Sequence, residues 1–360
     1  MRARRRKPLT QSESSAPDDP KLGSTVPHSV PERPNYERLS GPIDPAKTVG
    51  GQAVIEGVMM RAPGAWSVAV RRPEGHIVAQ RHVLGRLAER NTAARIPFVR
   101  GVVVLWESLS LGFRALSWSA EMAAGEEEQP LTRSQIGWTM ALAFALFAGI
   151  FIVLPALAAG AVAGESGLLF NVSEGVIRLA LFVGYIWAIG RSAEIGRVFE
   201  YHGAEHMSIH AFEAGQPLSV ESVRRYPPEH PRCGTSFLLI VVLGSIILFS
   251  FFGRPGWLFL VTSRLLGIPI IAGIAYEVLR WSGTRSSGWL ARALAAPGIW
   301  LQKLTTRVPD ESQVEVAISS LVVALDDEMV DDVIGRGGLP GSALEVRSTV
   351  FGVAPPSGEE

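Results

Sequence analysis

Between residues 138 and 276 the polar positions that punctuate the rest of the chain thin out. Apolar residues there run together in four stretches: 138–159, 174–190, 236–252 and 258–276. Each is about the 17–25 residues that a helix needs to cross the hydrocarbon core of a bilayer. The pattern therefore predicts four transmembrane helices rather than a large soluble helical core. Trp138, Trp187, Trp257 and Trp281 stand near the ends of these stretches, where an aromatic belt would put them. Glu174 and Arg178 are four apart, a spacing that lets them pair at the membrane edge. Arg264, inside the fourth stretch, must snorkel, pair or line the bundle interior. Pro155 and Pro269 are expected to kink their helices.

Upstream the period changes. Residues 66–71 and 76–81 read as short strands across a turn at Pro73, Glu74 and Gly75, so 48–95 is expected to be a small β-rich unit. Over 96–130, Val99, Val102, Val103, Trp106, Leu109, Phe113 and Leu116 recur at helical spacing, interrupted by Arg100, Glu107 and Arg114. Those charges argue against a span; an amphipathic helix lying on the membrane or packed on the bundle fits better. Glu126, Glu127, Glu128 and Pro130 break the pattern. The membrane domain itself is expected over 131–283. Downstream, 284–332 predicts cytoplasmic helices, one over 289–306 with a break at Pro297-Gly298 and one over 311–325. The apolar stripe of the second is Val314, Ile318, Leu321 and Leu325. The flanks, 1–47 rich in Pro, Ser, Asp and Glu and 333–360 rich in Gly, Pro and Ser, are expected to be disordered. The fold class that follows is a mainly α membrane protein of about four spans, with a small N-terminal β-rich cytoplasmic unit and C-terminal helices.

Charge sets the orientation. Residues 164–173 hold no Lys or Arg, whereas the connection 191–235 holds Arg191, Arg197, Arg224, Arg225 and Arg232. The region after the fourth stretch adds Arg280, Arg285, Arg292, Lys303 and Arg307. By the positive-inside rule, both termini and the 191–235 connection face the cytoplasm. The basic start RARRRK has no apolar run behind it, so a secretory signal peptide is not expected. The 34 basic residues balance 34 acidic ones, which removes any global electrostatic case for nucleic acid. The expected partner is the lipid bilayer, with self-association left open. A single cysteine excludes an intrachain disulfide and fits a reducing compartment or a metal ligand.

The same connection gathers the reactive side chains. Of seven histidines in the chain, His202, His206, His210 and His230 fall between residues 201 and 235, and so does the lone cysteine, Cys233. His202, Glu205 and His206 spell H-x-x-E-H. Residues four apart share a helix face, with Cβ atoms roughly 5–6 Å apart. Two imidazoles so placed can hold one metal ion, with Glu205 beside them to handle a proton. The order is that of the inverzincin metalloproteases. His230 and Cys233, in HPRC, are candidates for further ligands, and imidazole nitrogen and thiolate sulfur both suit zinc. Glu56, His210 and Glu213 are possible additions, although Glu56 also reads simply as an exposed strand glutamate. The plain alternative is a polar loop whose histidines cap helices and bond backbone carbonyls.

Five blocks carry a resemblance: GGQAVIEGVMMR at 50–61, YHGAEHMSIHAFEAG at 201–215, HPRCGTSFL at 230–238, YEVLRWSG at 276–283, and PGIWLQKLTTRVPD with QVEVAI at 297–318. Together they resemble the YqhQ-like family, uncharacterised bacterial membrane proteins described as predicted metal-dependent enzymes. The resemblance extends over about residues 49–325. It implies a multi-pass protein of the bacterial inner membrane with a divalent metal, zinc for choice, on the same His, Glu and Cys residues, and it implies no particular substrate. His210 and Met207 depart from it, standing where a small residue or cysteine and a lysine are usual. A catalytic site would hydrolyse an amide, ester or phosphoester at the cytoplasmic face. In that reading His202, His206 and either His230 or Cys233 hold zinc, and Glu205 is the general base. The rival expectations are a membrane scaffold or assembly factor clipped by a structural metal, and a transporter with Arg264, Arg178 and Glu174 along its path.

Overall fold

A computed structural model describes residues 48–84, 96–124, 133–252, 256–284 and 289–352. The basic tail 1–47 and the acidic break at 126–130 lie outside the described residues. Four strands come first: β1 (Gly50–Val54), β2 (Gly57–Ala62), β3 (Ala65–Arg71) and β4 (Ile77–Val83). They form an antiparallel meander in sequence order. β3 and β4 follow from sequence alternation, and Gly75 closes their turn with a φ of 95°. β1 and β2 escaped that reading because β2 is apolar on both sides. Val58, Met60 and Ala62 join one core cluster, while Met59 joins a second with Trp66, Val68 and Val70 of β3. A strand covered on both faces loses the alternation that marks a half-buried one.

The helices are α1 (Val99–Ala123), α2 (Arg133–Ala148), α3 (Leu154–Val162), α4 (Gly167–Ile189), α5 (Ala193–Glu213) and the short α6 (Val220–Val223). They continue with α7 (Thr235–Ser250), α8 (Trp257–Thr284), α9 (Trp289–Thr305), α10 (Glu311–Ala324), α11 (Asp327–Gly335) and α12 (Gly341–Phe351). Leu111 and Ala115 of α1 pack on one face of the sheet; α10 and α5 fill the other. Asp310 opens α10 with a capping box, its carboxylate accepting from the Gln313 N–H while the Gln313 side chain accepts from the Asp310 N–H. The expected one-sided stripe of α10 is an understatement. Residues 316–325 are buried all round, including Ser319 and Ser320. Ser320 reaches the sheet through its carbonyl, which accepts from the Ser67 hydroxyl at 2.6 Å.

Two further expectations are corrected. The stretch from 333 was expected to be disordered, yet α12 forms there, with Ala343 in the core beside α10. Arg347 fastens this end by donating to the Val322 carbonyl at 2.6 Å. The Gly and Pro residues around 337–341 delimit the helix rather than prevent it. α9, expected to break at Pro297-Gly298, runs through them unbroken.

Among the described residues three helical stretches, Gly137–Val162, Gly167–Ile189 and Leu258–Leu279, are long and apolar enough to cross a membrane, with 26, 23 and 22 residues. The 236–252 stretch gives the shorter apolar helix α7, of 16 residues. α4 begins at Gly167 and not at 174, so Glu174 lies roughly 10 Å inside the helix at 1.5 Å per residue. Glu174 is therefore not at an edge. It is buried with Asn171 and Arg264, and pairs with both Arg178 and Arg264. Pro155 explains a local widening between α2 and α3, a π turn over Gly149–Val153. Proline has no N–H for the carbonyl four residues back. That carbonyl, of Phe151, accepts instead from Arg178 Nε at 2.9 Å.

Candidate metal centre

α5 supplies the first candidate ligands because a helix repeats its face every three to four residues. His202, His206 and His210 form one row, and the extended loop before α7 lies across it. That loop, PPEHPRC, is rich in proline; lacking N–H groups, it offers carbonyls to any donor that faces it. His206 Nδ1 lies 2.6 Å from the Pro228 carbonyl oxygen, and His210 Nε2 lies 2.9 Å from that of Glu229. His202 Nδ1 lies 2.8 Å from the carbonyl oxygen of Thr305, at the end of α9. A ring nitrogen facing a carbonyl carries the proton, so His202 and His206 both donate through Nδ1 and turn unprotonated Nε2 atoms away.

The His202 Nε2 atom meets Cys233. The His202 Nε2 to Cys233 Sγ distance is 3.2 Å, and one ligand atom from each of His202, His206 and Cys233 lies within 4.8 Å of the others. The His206 Nε2 atom is buried with no hydrogen-bond partner among the described residues. An orphaned buried acceptor is uncommon in a native fold and asks for an explanation. Metal-binding histidines characteristically donate their second nitrogen to a carbonyl or carboxylate, as both do here. The donor set therefore fits a borderline-soft divalent ion.

His230 takes a different place. Its ring stands 4.3 Å from that of His210 and 5.7 Å from that of His206, centroid to centroid. Its Nδ1 accepts from the Arg232 N–H at 3.2 Å, which leaves the proton on Nε2, 3.5 Å from the Glu213 carboxylate. Glu213 in turn pairs with Arg232. His230 is thus turned toward Glu213 and does not join the group of three. Gln302 of α9 clamps its backbone, accepting from its N–H at 2.7 Å and donating to its carbonyl at 3.0 Å. Glu56, read as a strand residue, sits in the β1–β2 turn with a φ of 50°. Its carboxylate is held by Arg197, at 2.6 Å from Nε, and by the Tyr201 hydroxyl.

Glu205 lies on the flank of α5 that faces β1. A Cβ at Gly51 would stand 2.9 Å from its carboxyl carbon, so this close approach requires glycine. Burial pushes its carboxyl up to about 8; His202 pulls against that, Cys233 adds to it, and an N–H from Gly51 pulls down. At neutral pH it holds its proton. Burial lowers His206 well below the usual histidine range and brings His210 to about 3 and His230 to about 4. Burial also raises the Cys233 thiol, opposed by contacts from Thr235. His206, His210 and His230 are therefore neutral, the state in which imidazoles bind metals.

Sequence reasoning missed Gln302, Thr305 and the carbonyls of Pro228 and Glu229. Backbone carbonyls carry no signal in residue type, and the only hint of the others was the block PGIWLQKLTTRVPD. Gly203 shows how closely these pieces meet, because a Cβ there would stand 2.0 Å from the Arg307 carbonyl oxygen.

The described chain is thus mainly helical, with helices long and apolar enough for a membrane, a small antiparallel sheet, and a half-buried His/Cys cluster. It belongs to the family described as protein of unknown function (DUF1385), whose model matches residues 96–327. It is similar to uncharacterized protein YqhQ of Bacillus subtilis (strain 168), at 33% identity over 291 residues, covering 75% of this chain and 90% of that protein. No solved structure matches.

Proposed function

We propose that the chain is a metal-dependent hydrolase at the cytoplasmic face of a bacterial inner membrane, with zinc held by His202, His206 and Cys233. The observation that carries this is the convergence of one ligand atom each from His202, His206 and Cys233 within 4.8 Å. A two-histidine, one-cysteine set leaves a fourth position open, the pattern of catalytic rather than closed structural zinc sites. Bound there, the metal would lower the pKa of a coordinated water to about 7 and so supply a nucleophile for an amide, ester or phosphoester. The Thr305 and Pro228 carbonyls fix the tautomers of His202 and His206. Glu205 is the proton carrier: its buried carboxyl, raised to about 8, exchanges a proton near neutrality.

The membrane placement rests on the three long apolar stretches, with α7 as a fourth span. α7 is about 24 Å long at 1.5 Å per residue, somewhat short of a typical 30 Å hydrocarbon core. An even number of spans returns both termini to one side, and the arginines of 191–235 mark it as cytoplasmic.

One observation favours a second reading, a scaffold with a structural metal. The cluster stitches α5, the turn before α7 and the end of α9 together through His202, Cys233 and Thr305. Metal analysis of the protein purified in detergent tests both. About one zinc per chain is expected, lost in His206→Ala and Cys233→Ser and kept in Glu205→Gln. Cobalt substitution then separates the readings. Added hydroxamate shifts the visible bands of an open site and leaves those of a closed clip unchanged. Undiminished metal in both ligand variants contradicts the site altogether.

A further inference from the structure

The face of α1 turned away from the sheet takes no part in the proposed function. Val99, Val102, Trp106, Leu109, Phe113 and Leu116 recur at intervals of three and four, which keeps them on one side of the helix for its first five turns. All six are exposed, Trp106 by 71%, Leu109 by 61% and Phe113 by 57%. The opposite side is committed to protein. Leu111 and Ala115 pack on the sheet, Gly112 lies against Gln52, and Ser119 accepts from the Ile55 N–H. Charged residues keep to the margins and are occupied: Arg100 pairs with Glu277, Glu107 with Arg61, and Arg114 lies over the Trp66 ring. An apolar stripe of this extent on a soluble surface marks an interaction site.

We infer that α1 lies in the membrane–water boundary, its outer stripe seated among lipid acyl chains and its inner face carrying the sheet, so that the sheet and the metal cluster are held against the bilayer. This rests on the membrane placement proposed above. Continuity selects lipid as the occupant. Gly101 meets α8 at Gly273 and Tyr276, so α1 starts from the side of a candidate span. Leu266 and Ile270, seven and three residues before Gly273 and so on the same side of α8, are exposed by 71% and 58%. The rival occupant is α1 of a second copy, since three-four spacing also makes a coiled-coil seam. The flanking positions Phe98, Leu105, Gly112, Val103, Ser110 and Ser117 carry none of the charges that set partner choice in such pairs. Large aromatic side chains beside a polar backbone surface suit the lipid boundary instead.

Nitroxide labels at Leu109→Cys, Phe113→Cys, Ser108→Cys and, on α2, Phe144→Cys test this in phosphatidylethanolamine–phosphatidylglycerol vesicles. The unsubstituted protein, whose Cys233 is partly buried, gives the background. Collision with oxygen and with a water-soluble nickel chelate reports the surroundings of each label. Oxygen is expected to dominate at 109, 113 and 144, and the chelate at 108. Chelate access at 109 and 113 equal to that at 108, with 144 still in lipid, overturns the inference and spares the membrane placement. Chelate access at 144 as well overturns both. Spin–spin broadening at 109 and 113 overturns it in favour of a second copy.

Discussion

At the scale of single residues, the cluster is built from groups whose ordinary charge has been suppressed. Burial keeps His206, His210 and His230 neutral and Glu205 protonated. The two kinds of group act oppositely on stability. A histidine held below its unfolded value of 6.5 gains its proton later in the folded chain, so the unfolded chain binds more protons as pH falls. That contribution is intact above about 6.5 and is lost toward about 4. Glu205, raised from 4.5 to about 8, contributes fully below 4.5 and loses its contribution as pH rises through 8. Three histidines outweigh one carboxyl between those limits. The metal-free protein is therefore expected to be most heat-stable near pH 6.5, with a steep acid limb and a shallow alkaline one. Glu205→Gln removes the alkaline limb and leaves the acid limb, as thermal midpoints across pH 4–9 would record. A profile unchanged by Glu205→Gln contradicts this account of the carboxyl.

At the scale of elements, what was legible depended on how many sides an element buries. β4 and α1 keep a polar margin, and their periods are plain in the sequence; β3 is buried on both faces but still alternates large Trp66, Val68 and Val70 with small Ser67 and Ala69. β2 and α10 are covered on every side, so their patterns lose contrast. α10 shows this most clearly: four stripe residues are visible, but Val316, Ala317, Val322 and Val323 are equally buried. α12 was hidden by its neighbours, because Gly and Pro residues beside a helix look like a disordered tail. The central position of α10 has a consequence. Ile318→Ala removes side-chain volume where sheet, α5 and α12 meet, and such a cavity costs about 2–5 kcal/mol. Chemical denaturation followed by near-ultraviolet circular dichroism would detect the loss. A cost below about 1 kcal/mol would place α10 at the periphery and contradict the packing.

For the whole molecule, the sequence was informative about which residues matter and silent about which way they turn. The concentration of His202, Glu205, His206, His210, His230 and Cys233 in one connection is visible on inspection. The division of labour among them is not, since it depends on carbonyls from Pro228, Glu229 and Thr305 that fix each ring. Those carbonyls come from a loop and from a helix end a hundred residues away. Likewise Arg264 stood out as a charge inside an apolar stretch, but Glu174 and Arg178 were expected at an edge; their burial as one group with Arg264 and Asn171 is visible only in the structure. The arrangement joins a sheet-and-helix unit to a set of apolar helices, with the cluster at the seam.

X-ray absorption at the zinc edge of the purified protein addresses that seam most directly, because it reads the identity of the bound atoms. The account predicts a first shell of two imidazole nitrogens at about 2.0–2.1 Å, one sulfur at about 2.3 Å and one further light atom. A metal-free protein, or a shell without sulfur, would contradict it.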